Sequence, residues 1–187
     1  MLTFTTCISR LVCSLKIEEA EMQKRQTSGR GNVSELKVIT AYAEAGFAVS
    51  VPLGGGVAYD LIVDTGMRLL KVQVKTGRLR NGCILFPTMR FSGHSGRGRR
   101  YDPGEIDLFA VYCHDNGQIY VMPLDTSLTE GRLRCFETRN NQKQKIRWAL
   151  EYEFNKHIEE LRRGSGAKGV RTPDLLTASQ ALFQTEL

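Results

Sequence analysis

The chain has 187 residues and a mass of 21.0 kDa, room for one compact domain and too little for two ordinary ones. Hydrophobic residues make up 41% and charged residues 25%, close to globular averages, which sets aside a fibrous or largely unstructured chain. The apolar runs all fall short of the roughly 20 residues that span a bilayer, so no membrane partner is expected. Net charge is +6, and the surplus is concentrated: residues 22–165 hold 22 basic side chains against 15 acidic.

Residues 1–30 end in the polar, glycine-bearing run EEAEMQKRQTSGRG, without a sustained apolar stripe, and read as an arm, with Met22 a candidate start of the domain. The opening MLTFTTCISRLVCSL is interrupted by Arg10 and has no basic region before it, which makes a poor signal peptide. Asn32 or Ser34 can cap a helix in which Leu36, Ile39, Ala43 and Phe47 recur at helical spacing, with Gly46 as the stop. Three β-rich runs follow: FAVSVPL, VAYDLIVD and MRLLKVQVKT, the last two joined by a tight turn at Asp64-Thr65-Gly66. A strand CILFPT leads into the loop FSGHSGRGRRYDPGE. Two more strands, IDLFAVYC and QIYVMPL, are joined by His114-Asp115-Asn116-Gly117. Gln142 to Arg163 is predicted helical, ending at Gly164 and carrying Trp148 and Tyr152 four apart as core residues. The last stretch, 166–187, resembles the peptide made when a reading frame runs through the complementary strand of a transfer RNA gene, and no selected fold is expected of it.

Five cysteines without a CxxC pair (Cys7, Cys13, Cys83, Cys113, Cys135) read as reduced thiols in a cytoplasmic protein. His94, His114 and His157 share no ligand spacing and read as turn or surface residues; Gly54-Gly55-Gly56 reads as a turn.

Between Thr65 and Tyr101 there is no acidic residue, yet nine basic ones: Arg68, Lys71, Lys75, Arg78, Arg80, Arg90, Arg97, Arg99 and Arg100. A stretch of one sign concentrates anions and favours a phosphate polymer, and the guanidinium fork matches phosphate and guanine edges. Arg78, Arg80, Arg90, Arg97, Arg99 and Arg100 are the expected DNA contacts; a solvated basic loop is the plainer account of the same residues.

The sharpest signal lies in MRLLKVQVKT. Alternation puts Lys71, Gln73 and Lys75 on one face of a strand and Leu70, Val72 and Val74 on the other. Unpaired polar groups in such a strand cost several kcal/mol, on the order of magnitude for buried amides and charges. Asp60, within VAYDLIVD, poses the same problem, and the hairpin brings it towards Gln73 and Lys75. A carboxylate, an amide oxygen and an ammonium at one end of a sheet can hold a hard cation and a phosphate together, as phosphodiester hydrolysis requires. A core Asp–Lys ion pair accounts for the same spacing.

The run PLGGGVAYDLIVDTGMRLLKVQVKTGR resembles the core of the PD-(D/E)xK nucleases, and in particular the homing endonucleases associated with group I introns, in which Gln replaces the second acidic residue. EIDLFAVY and QIYVMPLD are similar to the strands that follow the site in that family. The resemblance implies that Asp60 is the metal-binding aspartate, that Gln73 stands at the second acidic position and also ligates metal, and that Lys75 is the catalytic lysine. It further implies that Glu35, on the first helix, is the second carboxylate of the metal site; a glutamate in a first helical turn is otherwise a surface charge favoured by the helix dipole. Tyr59 stands where the motif's name puts Pro.

The expected protein is therefore a single α/β domain at 31–165 with a restriction-endonuclease-like core, a mixed sheet flanked by helices. Its expected activity is Mg2+-dependent (Mn2+ as substitute) hydrolysis of double-stranded DNA by a site-specific, homing-type endonuclease. One site per chain implies a homodimer or homotetramer for cutting both strands. The alternatives are an inactive DNA-binding protein of the same fold, suggested by Gln73, and a junction-resolving or restriction-type nuclease.

Overall fold

The computed structural model describes residues 28–54, 56–91, 98–136 and 146–164. Most of the expected arm, His94, Arg97, Gln142 to Lys145 and the tail lie outside the described residues.

The first helix, α1, covers 28–44, so the boundary expected at 31 falls inside it. Neither Asn32 nor Ser34 caps it. Ser34 sits in the helix interior, where its hydroxyl donates to the Arg30 carbonyl one turn back (2.9 Å). The inward stripe is Ser34, Val38 and Tyr42, each at most 1% exposed, whereas Leu36 is 62% exposed. The expected stripe was out of phase because its inward positions include a serine and a tyrosine, which read as polar. The stop at Gly46 is as expected: its φ of 88° suits glycine, Gly46 N–H donates to Ala43 O (2.9 Å) and Phe47 N–H to Tyr42 O (3.1 Å).

Strands β1 (Ala48–Ser50), β2 (Leu61–Asp64) and β3 (Leu69–Arg80) form an antiparallel ribbon. Its hairpin is closed by Gly66 N–H on the Asp64 carboxylate (2.7 Å) and Thr65 N–H on Arg68 O (3.1 Å). The strand β3 is the hub of a seven-stranded mixed sheet. It pairs with β2 through Leu61↔Val72, with β4 (Cys83–Pro87) at its far end, and in parallel with β7 (Leu108–Cys113) from Val72↔Leu108 to Gly77↔Cys113. The neighbours β8 (Gln118–Pro123) and β9 (Glu130–Arg134) extend the two sides, and β5 (Arg90–Phe91) with β6 (Gly98–Arg99) forms a separate two-stranded piece. The sequence pattern missed β9, because EGRLR carries three charges in five residues and buries only Gly131 and Leu133.

Two cores lie on the two faces of the sheet. One gathers Val38 and Tyr42 of α1, Leu70, Val72 and Val74 of β3, and Ile158 of the last helix, α2 (Phe154–Gly164). The other gathers Ile84, Phe86, Tyr101, Phe109, Val111, Met122, Leu133 and Ala149. The long helix expected from Gln142 to Arg163 is not formed over its described residues 146–153. Trp148 bridges Arg134, Ala149–Tyr152 is a short 3-10 turn, and Glu153 bridges Tyr120 before α2 begins. The reason is topological: Ala149 and Tyr152 serve one face, Phe154 and Ile158 the other, and a straight helix cannot round the edge of β8 to serve both. Among the described residues no helix is long and apolar enough to cross a membrane, and Cys83, Cys113 and Cys135 are free thiols, the first two buried.

Gly77 marks how tightly β3 and β7 approach. A Cβ there would come 2.9 Å from Val111 Cγ1 and 3.0 Å from Ile84 Cγ2, both in the packed core. Gly77→Ala is expected to lower stability by about 1–3 kcal/mol in a denaturant titration, as overpacked cores do, and Val111→Ala in the same chain to restore part of it. A Gly77→Ala protein as stable as its parent would contradict this packing.

Candidate active site

Pairing of β2 with β3 ends at Leu61↔Val72, and there the two strands part. Asp60 lies one residue before β2, not within it as the sequence suggested. Its backbone N–H closes the ladder on Val72 O (2.9 Å), and its carboxylate Oδ2 accepts the Val74 N–H (2.7 Å) that an extended β2 would otherwise have paired. The Gln73 amide nitrogen donates to the same oxygen and also reaches Val74 O at 3.3 Å. Asp60, Gln73 and Lys75 are thus brought to one exposed edge of the hub strand.

Lys75 points to the face that holds Tyr101. Its Nζ donates to the Tyr101 hydroxyl (3.0 Å) and to Met89 O (3.4 Å), and lies 5.2 Å from the centre of the Tyr101 ring. Burial pushes the Lys75 ammonium down to about 8, with Arg90 acting in the same direction and the Asp60 charge opposing. Burial likewise raises Tyr101 to about 12. Tyr101 escaped the sequence reading, since a tyrosine 26 residues beyond the lysine gives no local signal.

Glu35 comes from α1, more than one turn inside the helix and hence not in a first-turn dipole position. Burial raises its pKa, and the neighbouring Asp60 charge raises it further. Burial also raises Asp60, against the lowering effects of the Val74 N–H, Lys75 and Gln73. Two half-buried carboxylates reluctant to ionise, beside an amide, are a donor set that a hard cation would stabilise. Among the described residues no three His, Cys, Asp or Glu side chains gather as a ready-made metal cage. The set suits Mg2+, which takes one or two carboxylates and completes its shell with water and phosphate oxygens. Gln73 presents its NH2 side to Asp60 here; ligating through its oxygen requires the amide to turn over.

Among the described residues, the expected DNA contacts do not form one patch. Arg78 and Arg80 are exposed on the far half of β3, by alternation on the face of Thr76 and opposite to Lys75. Arg90 donates to Gly56 O (3.0 Å) and stands 3.9 Å from Glu105. Arg99 is held in a two-pronged pair by Glu105 (2.5 and 2.8 Å) and by Asp102 (3.3 Å), and Arg100 is exposed. The stretch that is free of acids in sequence is met in space by two acids just beyond it.

The mixed sheet flanked by helices is a restriction-endonuclease-like α/β core. The chain belongs to the PD-(D/E)XK endonuclease family, whose model matches residues 25–155. Among solved structures it is similar to the bacterial homing endonuclease I-Ssp6803I, with 25% identity and a TM-score of 0.60 over 76% of this chain and 97% of that chain. No curated protein matches it. The expected fold and family are borne out.

The Arg99 fork holds Glu105 down at about 2, from an ordinary 4.5. A depressed carboxylate stabilises the fold fully above its unfolded value and loses that contribution as pH falls towards the folded one. Glu105→Gln is therefore expected to lower the melting temperature near neutrality, with the gap to the parent closing between 4.5 and about 2. A gap independent of pH would count against the pair.

Proposed function

We propose that the protein is a Mg2+-dependent endonuclease of double-stranded DNA, of the site-specific homing type, in which Asp60, Glu35 and the Gln73 amide oxygen hold the cation and Lys75 serves the reacting phosphate. The observation that carries this reading is the convergence of Asp60, Gln73 and Lys75 where β2 leaves β3. The family match and the likeness to a homing endonuclease support it. Bound there, Mg2+, or Mn2+ in its place, would lower the pKa of an attacking water and neutralise charge on the phosphoryl oxygens. Lys75, with a pKa of about 8, is mostly an ammonium at neutral pH and supplies positive charge where negative charge develops on phosphate. Tyr101 and the Met89 carbonyl fix the direction of that ammonium. With one site per chain, two subunits serve the two strands, in a dimer or tetramer of closed symmetry. The domain occupies 31–165 together with the helical residues just before it, and the protein works in the cytoplasm.

A second reading, a DNA-binding protein of this fold without catalysis, draws on the donor side that Gln73 turns to Asp60. Titration of the protein with Mn2+ separates the two, since only the nuclease has a saturable site that Asp60→Asn abolishes.

Lys75→Ala is expected to reduce cleavage roughly a hundredfold or more while leaving duplex affinity within about twofold. Persistent metal-dependent nicking by that variant would refute the assignment. Duplex affinity is expected to fall steeply with salt, and Arg78→Ala with Arg80→Ala to flatten the log–log slope by about two, one for each phosphate no longer neutralised. An unchanged slope would remove these two arginines from the footprint.

A further inference from the structure

Ser34 is 1% exposed, lies next to Glu35, and touches three elements. Its hydroxyl donates to Arg30 O (2.9 Å) and lies 2.8 Å from the Thr76 hydroxyl and 3.0 Å from His114 Nε2. His114 Nε2 is also 3.2 Å from Arg30 O. A carbonyl can only accept, so the nitrogen facing Arg30 O carries the proton. Ser34, having given its own proton to the same carbonyl, then accepts from Thr76 and shares the one His114 Nε2–H with Arg30 O in a three-centre bond. One donation and two acceptances saturate a hydroxyl. The tautomer and the direction of every bond follow, and the His114 ring is held edge-on by Tyr112, with centroids 4.8 Å apart.

The positions matter as much as the bonds. Ser34 precedes Glu35 on α1, Thr76 follows Lys75 on β3, and His114 stands in the turn after β7, the strand parallel to β3. The rest of the α1 stripe is Val38 and Tyr42, whose apolar packing holds the helix to the sheet without specifying its register to a fraction of a turn. Directional bonds do specify it. We propose that Ser34, Thr76 and His114 form a positioning clamp that sets Glu35 of α1 against Asp60 and Lys75 of the sheet, so that the two carboxylates converge on one cation. The proposal rests on the metal-site reading given above and adds to it three residues that touch neither cation nor substrate. His114 is thereby a positioning residue and not the plain turn histidine that its spacing suggested.

The test is Mn2+ binding to the intact protein without DNA, by calorimetry, beside single-turnover cleavage and duplex affinity in chelator. Thr76→Val keeps the shape and removes the hydroxyl; His114→Ala removes the ring. Each is expected to weaken Mn2+ binding about tenfold, the usual scale for groups that orient a ligand, with duplex affinity unchanged. Thr76→Ser and His114→Gln, which keep a hydroxyl and a nitrogen donor in place, are expected to restore it. Because the clamp acts through Glu35, Thr76→Val added to Glu35→Gln should weaken binding no further. Should Thr76→Val bind Mn2+ like the parent, or should its effect add fully to that of Glu35→Gln, the clamp is refuted while the nuclease reading stands. Should Glu35→Gln itself leave Mn2+ binding unchanged, it is the metal-site reading that fails.

Discussion

The architecture depends on a carboxylate standing in for a strand. Where β2 leaves β3, the Val74 N–H has no ladder partner, and Asp60 Oδ2 accepts it at 2.7 Å. That substitution keeps a buried donor satisfied while opening the edge of the hub strand, which makes room for Gln73 and Lys75. It also confines a charge to a half-buried place, which is tolerable only because the Val74 N–H, Gln73 and Lys75 all favour its ionised form. Burial outweighs them, and removing any one of these partners leaves still less to oppose it, so groups that look catalytic are bound up with the stability of the sheet.

The candidate site draws on residues from both sides of that sheet. Lys75 looks towards Tyr101 and the core of Phe109 and Met122, whereas α1, carrying Glu35, packs on the face of Val72 and Val74. Only at an edge can side chains from the two faces meet. The chain itself crosses between faces at Trp148–Glu153, rounding β8 by a 3-10 turn and two single bridges before α2 joins α1 through Tyr42 and Phe154. That crossing is short, and the bonds from Arg134 N–H to Arg147 O and from Glu151 N–H to Trp148 O stabilise it as well as packing.

Charge is arranged with the same sharing of partners. Arg99 is matched by Glu105 and Asp102, and Arg90 leans on the same Glu105 while lowering the pKa of Lys75. A phosphate approaching this rim meets arginines already held in direction by carboxylates. Arg78 and Arg80 extend along the other face of β3, so positive charge lies on both sides of the open edge.

The amino-acid sequence by itself determined the hub strand, its alternation, the turn before it and the Asp60–Gln73–Lys75 spacing, because a strand's period of two and the residues of a hairpin turn are local properties. The break at Gly46 was legible for the same reason. The tertiary structure decided the rest. Ser34 turned inward to Thr76 and His114 instead of capping, Arg99 acquired acidic partners, Tyr101 came to Lys75, and the described residues 146–153 of an expected helix are not α-helical, α2 starting at Phe154. The Arg99 pairs span only three and six residues, but the others turn on pairings between residues as many as 80 positions apart, which require β7 paired in parallel with β3. Local periodicity cannot encode them: the same serine, tyrosine or arginine fits a cap, a core or a solvated loop until sheet pairing selects its neighbours.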